Sequence, residues 1–325
     1  MPDKFTKAVA VTPNDGADLA TMCDGIYIGE GDYTDNQAIA SLAGDAGEPV
    51  LFVRGEDPTS VTTRGVTSWY LDNDGSAGSA IDPLFKSSLG ASIPTLESTD
   101  PKLNYKQMVT FTGDNYLESS DNAGLDFDGD FSVVMLVKWT DIASNNEEVI
   151  LAKDNINSEW MLYKTSSHLL KVSADGSDPS SGLTVANDTW YIIEWSRSSG
   201  TQTIYVDGVN LGSTSSNSTD FSSSDNLLFG VRNSSGTYNR YFTGSLAFCA
   251  IWENATLSAA DRIAVNNYLT DRYLTTPQVD VAVVTSVDAS SVTTKRLKRG
   301  TVHPLAIKRV MATGTAGSSI VALYE

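Results

Sequence analysis

Few side chains in this 325-residue chain are equipped for chemistry. Its two histidines, His168 and His303, leave a His-ligated metal centre or a Ser-His-Asp relay short of parts. Of its two cysteines, Cys249 sits in the apolar run LAFCAIW, the setting of a buried free thiol, and nothing in the spacing argues for a bridge to Cys23. Leu125-Asp126-Phe127-Asp128-Gly129-Asp130 places Asp at alternate positions, as a calcium loop does at its start, but Val137 stands where that loop needs its closing Glu. A solvated turn is the simpler reading of Asp126, Asp128 and Asp130. Aromatic rings beside amides, hydroxyls and carboxylates offer another chemistry, because a ring face stacks on a pyranose. On that ground Trp160 and Tyr163, on a strand of mixed polarity, and Tyr238 and Tyr241, around the loop 233–240, are the candidate ligand-binding residues. Core packing is the competing reading of each. No catalytic residue, metal ligand or cofactor is assigned.

The charge is uneven. Residues 1–32 hold two Lys/Arg against six Asp/Glu and residues 279–325 six against three, so of the net −18 the stretch 33–278 carries −17. So acidic a middle argues against nucleic acid and anionic membrane as partners. All six tryptophans (69, 139, 160, 190, 195 and 252) lie in that middle too. No apolar run approaches the ~20 residues of a membrane span, and the first fifteen residues lack the apolar segment of a secretory signal. The expectation is a soluble chain, not exported by that route.

The elements that must position the aromatics read as β-strands. Trp190 to Arg197 alternates aromatic or β-branched residues with period 2, Ser198-Ser199-Gly200 turns the chain, and Thr203-Ile204-Tyr205-Val206 runs back. Asp207-Gly208 is a two-residue hairpin signal, since both positions of a type I′ turn need φ > 0, and Val209-Asn210-Leu211 follows. Further strands are expected at Met108–Leu117, Phe131–Trp139, Glu148–Lys153, Glu159–Lys164, His168–Ser173, Asn226–Gly230 and Tyr241–Trp252. Residues 257–274, LSAADRIAVNNYLTDRYL, break this pattern as a helix with a Ser258/Asp261 capping box and Pro277 beyond its end.

With Tyr205-Val206-Asp207-Gly208 closing a meander, residues 67–276 resemble a concanavalin A-like, or laminin G-like, β-sandwich. Some sandwiches of that kind are glycosidases with the spacing Glu-x-Asp-x-x-Glu, which occurs nowhere here; Glu194, alone between aromatics, cannot fill both carboxylate roles. Residues 33–66 read as a connector with some β-structure, Pro49–Arg54 being a strand within it.

The ends, 1–32 and 279–325, are each too short to bury a core but together suit one small β-domain. AVTPNDGADL, GIYIG, DVAVV, GTVHPLAIKRVMATGT and IVALY resemble, in that order, the spike base proteins of gene transfer agents and tailed phages. His303 and the cluster Lys295, Arg296, Lys298, Arg299 depart from that pattern. The resemblance implies a discontinuous base domain interrupted by a sandwich at 67–278, with Val281–Val284 beside an N-terminal strand.

The expected fold class is therefore all-β: a small split β-domain and an inserted concanavalin A-like β-sandwich carrying one C-terminal helix. The resemblances imply a non-enzymatic spike protein on the exterior of a virion or phage-like particle. They further imply a ring-like homo-oligomer, five-fold favoured, that contacts other virion proteins and displays the sandwich to host surface polysaccharide. A decoration module that binds no glycan is the alternative, and a glycan hydrolase a weaker one.

Overall fold

The computed structural model describes residues 7–12, 19, 25–28, 46–56, 58–63, 66–88, 92–141, 146–153, 160–174, 179–214, 223–274, 278–285, 292–298, 302–303, 307–311 and 320–324. Cys23, the segment 38–43 and Arg299 lie outside them. The chain divides into two compact units, residues 1–34 with 275–325, and residues 35–274.

In the larger unit two antiparallel sheets pack face to face. The first runs, from one edge, Val209–Thr214, Thr201–Val206, Trp190–Ser198, Phe131–Trp139, Thr243–Glu253, Met108–Thr112 and Thr95–Glu97, with Leu51–Arg54 paired to the far half of Thr243–Glu253. The second runs Ser180–Thr184, Leu169–Ala174, Trp160–Lys164, Glu148–Lys153, Leu227–Phe229, Asn115–Ser119, Leu84–Ser87, Val66–Leu71 and Pro58–Thr63. Residues 51–63, read from sequence as a connector, thus supply strands to both sheets. Leu51-Phe52-Val53 is wholly buried against Cys249, Ala250 and Ile251, a partner some 200 residues away that no local pattern announces.

Strand alternation sorts the apolar residues into layers. Phe131, Val133, Met135, Val137 and Trp139 point into the core between the sheets, as do Tyr191, Ile193 and Trp195 on the neighbouring strand. Each fully buried Val, Ile or Phe contributes about 1.5–3 kcal/mol. The intervening Val134, Leu136, Trp190 and Ile192 point the other way, onto the helix Ala259–Leu269, whose Val265, Tyr268 and Leu269 cover them. Ser258 caps that helix: its Oγ accepts from Asp261 N, and Asp261 reciprocates on Ser258 N. Leu257 N donates to the buried Ser132 Oγ at 3.0 Å, pinning the helix entry to the sheet. In the meander the Asp207-Gly208 turn has φ of +51° and +79°, as a two-residue hairpin requires. His168, placed by sequence in a strand, sits in the turn before one, with φ +64°.

The loop before Phe131 serves the core. Phe127 is fully buried, stacked on Phe131 at 4.4 Å and Trp160 at 5.0 Å, with Trp195 edge-on at 6.1 Å. The loop's oxygens are engaged by protein cations and amides: Arg197 donates to the carbonyls of Phe127 and Gly129, Lys153 pairs with Asp126 at 2.5 Å, and Asp130 accepts from Ser199 N at 2.8 Å. Among the described residues no group of three or more His, Cys, Asp or Glu is arranged to hold a metal.

In the smaller unit Ile320–Tyr324 lies between Lys7–Val11 and Gly25–Ile28, the latter also pairing with Val302–His303. Gln278–Thr285 pairs instead with Val292–Lys298 and Ile307–Val310, so among the described residues Val281–Val284 is not beside an N-terminal strand as the sequence blocks suggested. Its register with Val292–Lys298 sets Asp280 opposite Arg296 and Val281 opposite Lys295, backbone positions at which the basic cluster is part of a strand. Val283, Val284, Ile307, Val310 and Ala322 are buried.

Candidate ligand-binding site

At one end of the sandwich four connections converge on an open cleft of about 680 Å³. Thr112 and Gly113 come from the turn between two strands, Asp141 and Asn146–Glu148 flank the exit from Phe131–Trp139, Ser166 sits in the turn 165–168, and Arg240–Thr243 leads into the last long strand. The turn at Gly113 needs its glycine: φ is +86°, and a Cβ there would lie 2.9 Å from Thr243 Oγ1. Asn115 fixes the same turn, accepting from Thr112 N at 3.2 Å and donating to Thr112 Oγ1 at 2.8 Å.

Arg240 dominates one wall. Its backbone is left-handed, φ +56°, a conformation that costs a non-glycine residue about 1–2 kcal/mol. The site is held there by Val149 N, which donates to Arg240 O at 2.9 Å. The guanidinium bridges to Glu147 at 2.9 Å and rests on Met161 Sδ at 3.6 Å. Below it Glu148, only 2% exposed, pairs at 3.4 Å with Lys164, whose fully buried ammonium also donates to Asn146 O at 2.9 Å. Tyr241 supplies the aromatic surface; burial, then the neighbouring Tyr238 and Asp114, push its phenol up, against a hydrogen bond with Ser88. Amide, hydroxyl, guanidinium and carboxylate groups around a half-buried ring suit a hydroxyl-rich ligand.

The structure separates the four sequence candidates. Trp160 is fully buried in the aromatic core, its ring on Phe127, so it stacks on no ligand. Tyr163 is buried on the outer side of its sheet with Val149, Ala152 and Met161, which removes it as well. Tyr241 lines the cleft, and Tyr238 stacks at 4.9 Å on Tyr116 beside it. The strand of mixed polarity does not have an open polar face: the Lys164 ammonium is buried with Glu148. Asp141, Asn146, Glu147, Ser166 and Arg240 escaped the sequence reading because they are ordinary polar turn residues until the fold gathers them. Glu194 is no catalytic acid, being bound by Arg262 under the helix. Cys249 is a free, buried thiol pushed up by desolvation.

Residues 111–261 match a family model described as the concanavalin A-like lectin/glucanases superfamily. This segment has the concanavalin A-like fold. A search of curated proteins finds no match. Among solved structures, domain 4 of AbnA, a GH43 extracellular arabinanase from Geobacillus stearothermophilus in complex with arabinotriose, aligns at 14% identity and TM-score 0.48 over 60% of this chain and 93% of its own. A botulinum neurotoxin type C structure, described by the dependence of cell entry on two ganglioside molecules, aligns at 12% identity and TM-score 0.50 over 80% of this chain and 63% of its own. The binding domain of botulinum neurotoxin serotype D aligns at 14% identity and TM-score 0.47, over 81% and 64%. The likeness to the type C structure, at 12% identity, is one of fold. The concanavalin A-like domain here keeps its polar cleft at the loop end of the two sheets, where turns are free to vary without disturbing the core.

Proposed function

We propose that the concanavalin A-like domain binds carbohydrate, without chemistry, through the cleft of Arg240 and Tyr241. The observation that carries this reading is the cleft itself: about 680 Å³ at the loop end of a lectin-type sandwich, lined by Asp141, Asn146, Ser166, Arg240 and Tyr241. The sequence blocks shared by the two chain ends with spike base proteins support the wider reading. In it the smaller unit anchors a ring-like homo-oligomer, five-fold favoured, on other virion proteins at the exterior of a phage-like particle, and the sandwich is displayed to host surface polysaccharide. A shallow site with one half-buried ring is weak, with Kd on the order of millimolar, and several copies in one oligomer raise avidity by about 10² to 10⁴ without a new contact.

The test is retention of the full-length assembled protein on immobilised host polysaccharide. Tyr241→Ala and Arg240→Ala should abolish retention while leaving the circular dichroism and oligomer mass unchanged. An assembled oligomer that ignores the polysaccharide but captures another particle protein would make the sandwich a spacer.

A further inference from the structure

We infer that the cleft is one end of a longer groove, whose far subsite is a second pocket on the outer face of the nine-stranded sheet, and that the groove takes an internal stretch of a polysaccharide chain. The inference rests on the carbohydrate reading above and extends it from one sugar to several.

The second pocket holds about 140 Å³ and is lined by Glu118, Asp225, Asn226, Leu228, Asn233 and Tyr238. Asp225 Oδ2 is buried and has no hydrogen-bond partner among the described residues. A buried acceptor left unmade costs about 1–3 kcal/mol, so this oxygen calls for a donor. Two carboxamides stand beside it with their oxygens already committed: Asn226 Oδ1 accepts from Asp121 N at 3.1 Å, and Asn233 Oδ1 from Gly236 N at 2.9 Å. Their NH₂ groups remain as donors. Acceptor, paired donors and a tyrosine edge together match the alternating donor and acceptor character of vicinal sugar hydroxyls. Glu118 is drawn off by Lys86 at 3.7 Å, so the pocket is not a bare pair of carboxylates awaiting a cation.

Three tyrosines join the pocket to the cleft. Tyr238 lines the pocket, Tyr241 lines the cleft, and both pack on the patch of Tyr116, Leu228 and Val231. Tyr116 and Tyr238 stack at 4.9 Å with their planes 23° apart. The strand Asn115–Ser119 runs beneath, from the turn at the cleft to Glu118 in the pocket. Its rise of roughly 3.3 Å per residue separates Asn115 from Glu118 by about 10 Å, more than one pyranose ring needs. The half-buried rings of Tyr238 and Tyr241, set over the buried Tyr116 along that path, form a stacking surface for successive sugars rather than a socket for one terminal residue.

The experiment is calorimetric titration of the full-length protein with soluble di-, tetra- and hexasaccharide fragments of the retained polysaccharide. Affinity should rise at least tenfold from di- to hexasaccharide. Asp225→Asn and Asn233→Ala should erase that gain while leaving disaccharide affinity within twofold, whereas Tyr241→Ala weakens every length. Asn226→Ala serves as an independent variant should one of these fail to fold. Binding that is independent of length, or unchanged by the variants at the second pocket, overturns the groove and leaves the carbohydrate reading standing. No binding at any length, with the parent polysaccharide also unretained, overturns both.

Discussion

The guanidinium of Arg262 grips the Glu194 carboxylate with two hydrogen bonds, 2.7 and 2.9 Å long, beneath the helix that covers the first sheet. Glu194 is 4% exposed and occupies, after Trp190 and Ile192, the next position on the face that the helix buries. A carboxylate there would destabilise the layer without its partner. Arg262 also donates to Leu257 O at 3.1 Å and lies 3.6 Å over the Tyr205 ring, so one side chain ties helix, loop and two strands together. Arg262→Ala should therefore cost about 3–5 kcal/mol, because it strands a buried charge. Replacing both residues with apolar ones, Glu194→Met with Arg262→Leu, should recover most of that loss. With Glu194→Met and Arg262→Leu also made singly, urea denaturation of these two, the double variant and the parent closes the cycle; additive losses would show that the pair is not coupled.

Two buried carboxyls should give stability opposite dependences on pH. Burial pushes Asp100 up, but Lys138 at 2.5 Å, the Lys102 N–H and the Trp190 indole at 2.9 Å outweigh it and hold the carboxyl below its ordinary range. The unfolded chain then binds the proton more readily, so this contribution is present above the unfolded pKa of about 3.9 and is lost as pH falls through the folded value. Glu194 goes the other way: burial raises it more than Arg262 lowers it. Its contribution is present below the unfolded pKa of about 4.3 and is lost as pH rises through the folded value. Asp100→Asn should be less stable than the parent at pH 7, with the gap closing toward pH 3. Glu194→Gln should flatten the decline on the rising side. Denaturation midpoints between pH 3 and 7 measure both; parallel curves for parent and variants would refute the assignment.

How much of this was legible in the sequence depended on distance along the chain. The Asp207-Gly208 turn and the Ser258/Asp261 capping box are local, and their φ angles and hydrogen bonds are those that the residue types demand. The alternation of Trp190–Arg197 was legible because one side faces the core and the other the helix, with apolar residues on both. Leu51–Arg54 reads as a strand from its own apolar run, but its place at the edge of Thr243–Glu253 is something four residues of sequence do not reveal. Phe127 was hidden by the acids around it. Of the cleft only Tyr241 was visible, because the other lining residues come from separate turns that carry no signal of their own.

Gly230 offers a test of the packing between the sheets. Its φ is +83°, and a Cβ would meet the Phe111 ring at 2.7 and 2.9 Å, in the core beside Phe242. Gly230→Ala combines a left-handed backbone penalty of about 1–2 kcal/mol with overpacking of about 1–3 kcal/mol. A loss of about 2–5 kcal/mol in urea denaturation is expected, with Phe111→Leu in the same chain restoring part of it. Rescue by Phe111→Leu distinguishes the steric clash from backbone strain, which that change leaves untouched.

The two aromatic positions that sequence placed in one class should separate cleanly when each is cut to alanine. Trp160 is fully buried, with Phe127 at 5.0 Å and Trp195 at 5.2 Å from its ring, so Trp160→Ala opens a large cavity and should cost about 3–5 kcal/mol. Near-ultraviolet circular dichroism should weaken with it, since stacked rings give that signal its asymmetry. Tyr241 is half-buried at the cleft wall and contributes one edge to the tyrosine patch. Tyr241→Ala should therefore cost about 1 kcal/mol, in the usual range for a point change outside the core, and leave the aromatic spectrum of the core in place. Retention on polysaccharide should follow the reverse order once temperature is set where both variants are folded: kept by Trp160→Ala, lost by Tyr241→Ala. If Trp160→Ala loses retention while fully folded and Tyr241→Ala keeps it, the binding surface is not the cleft.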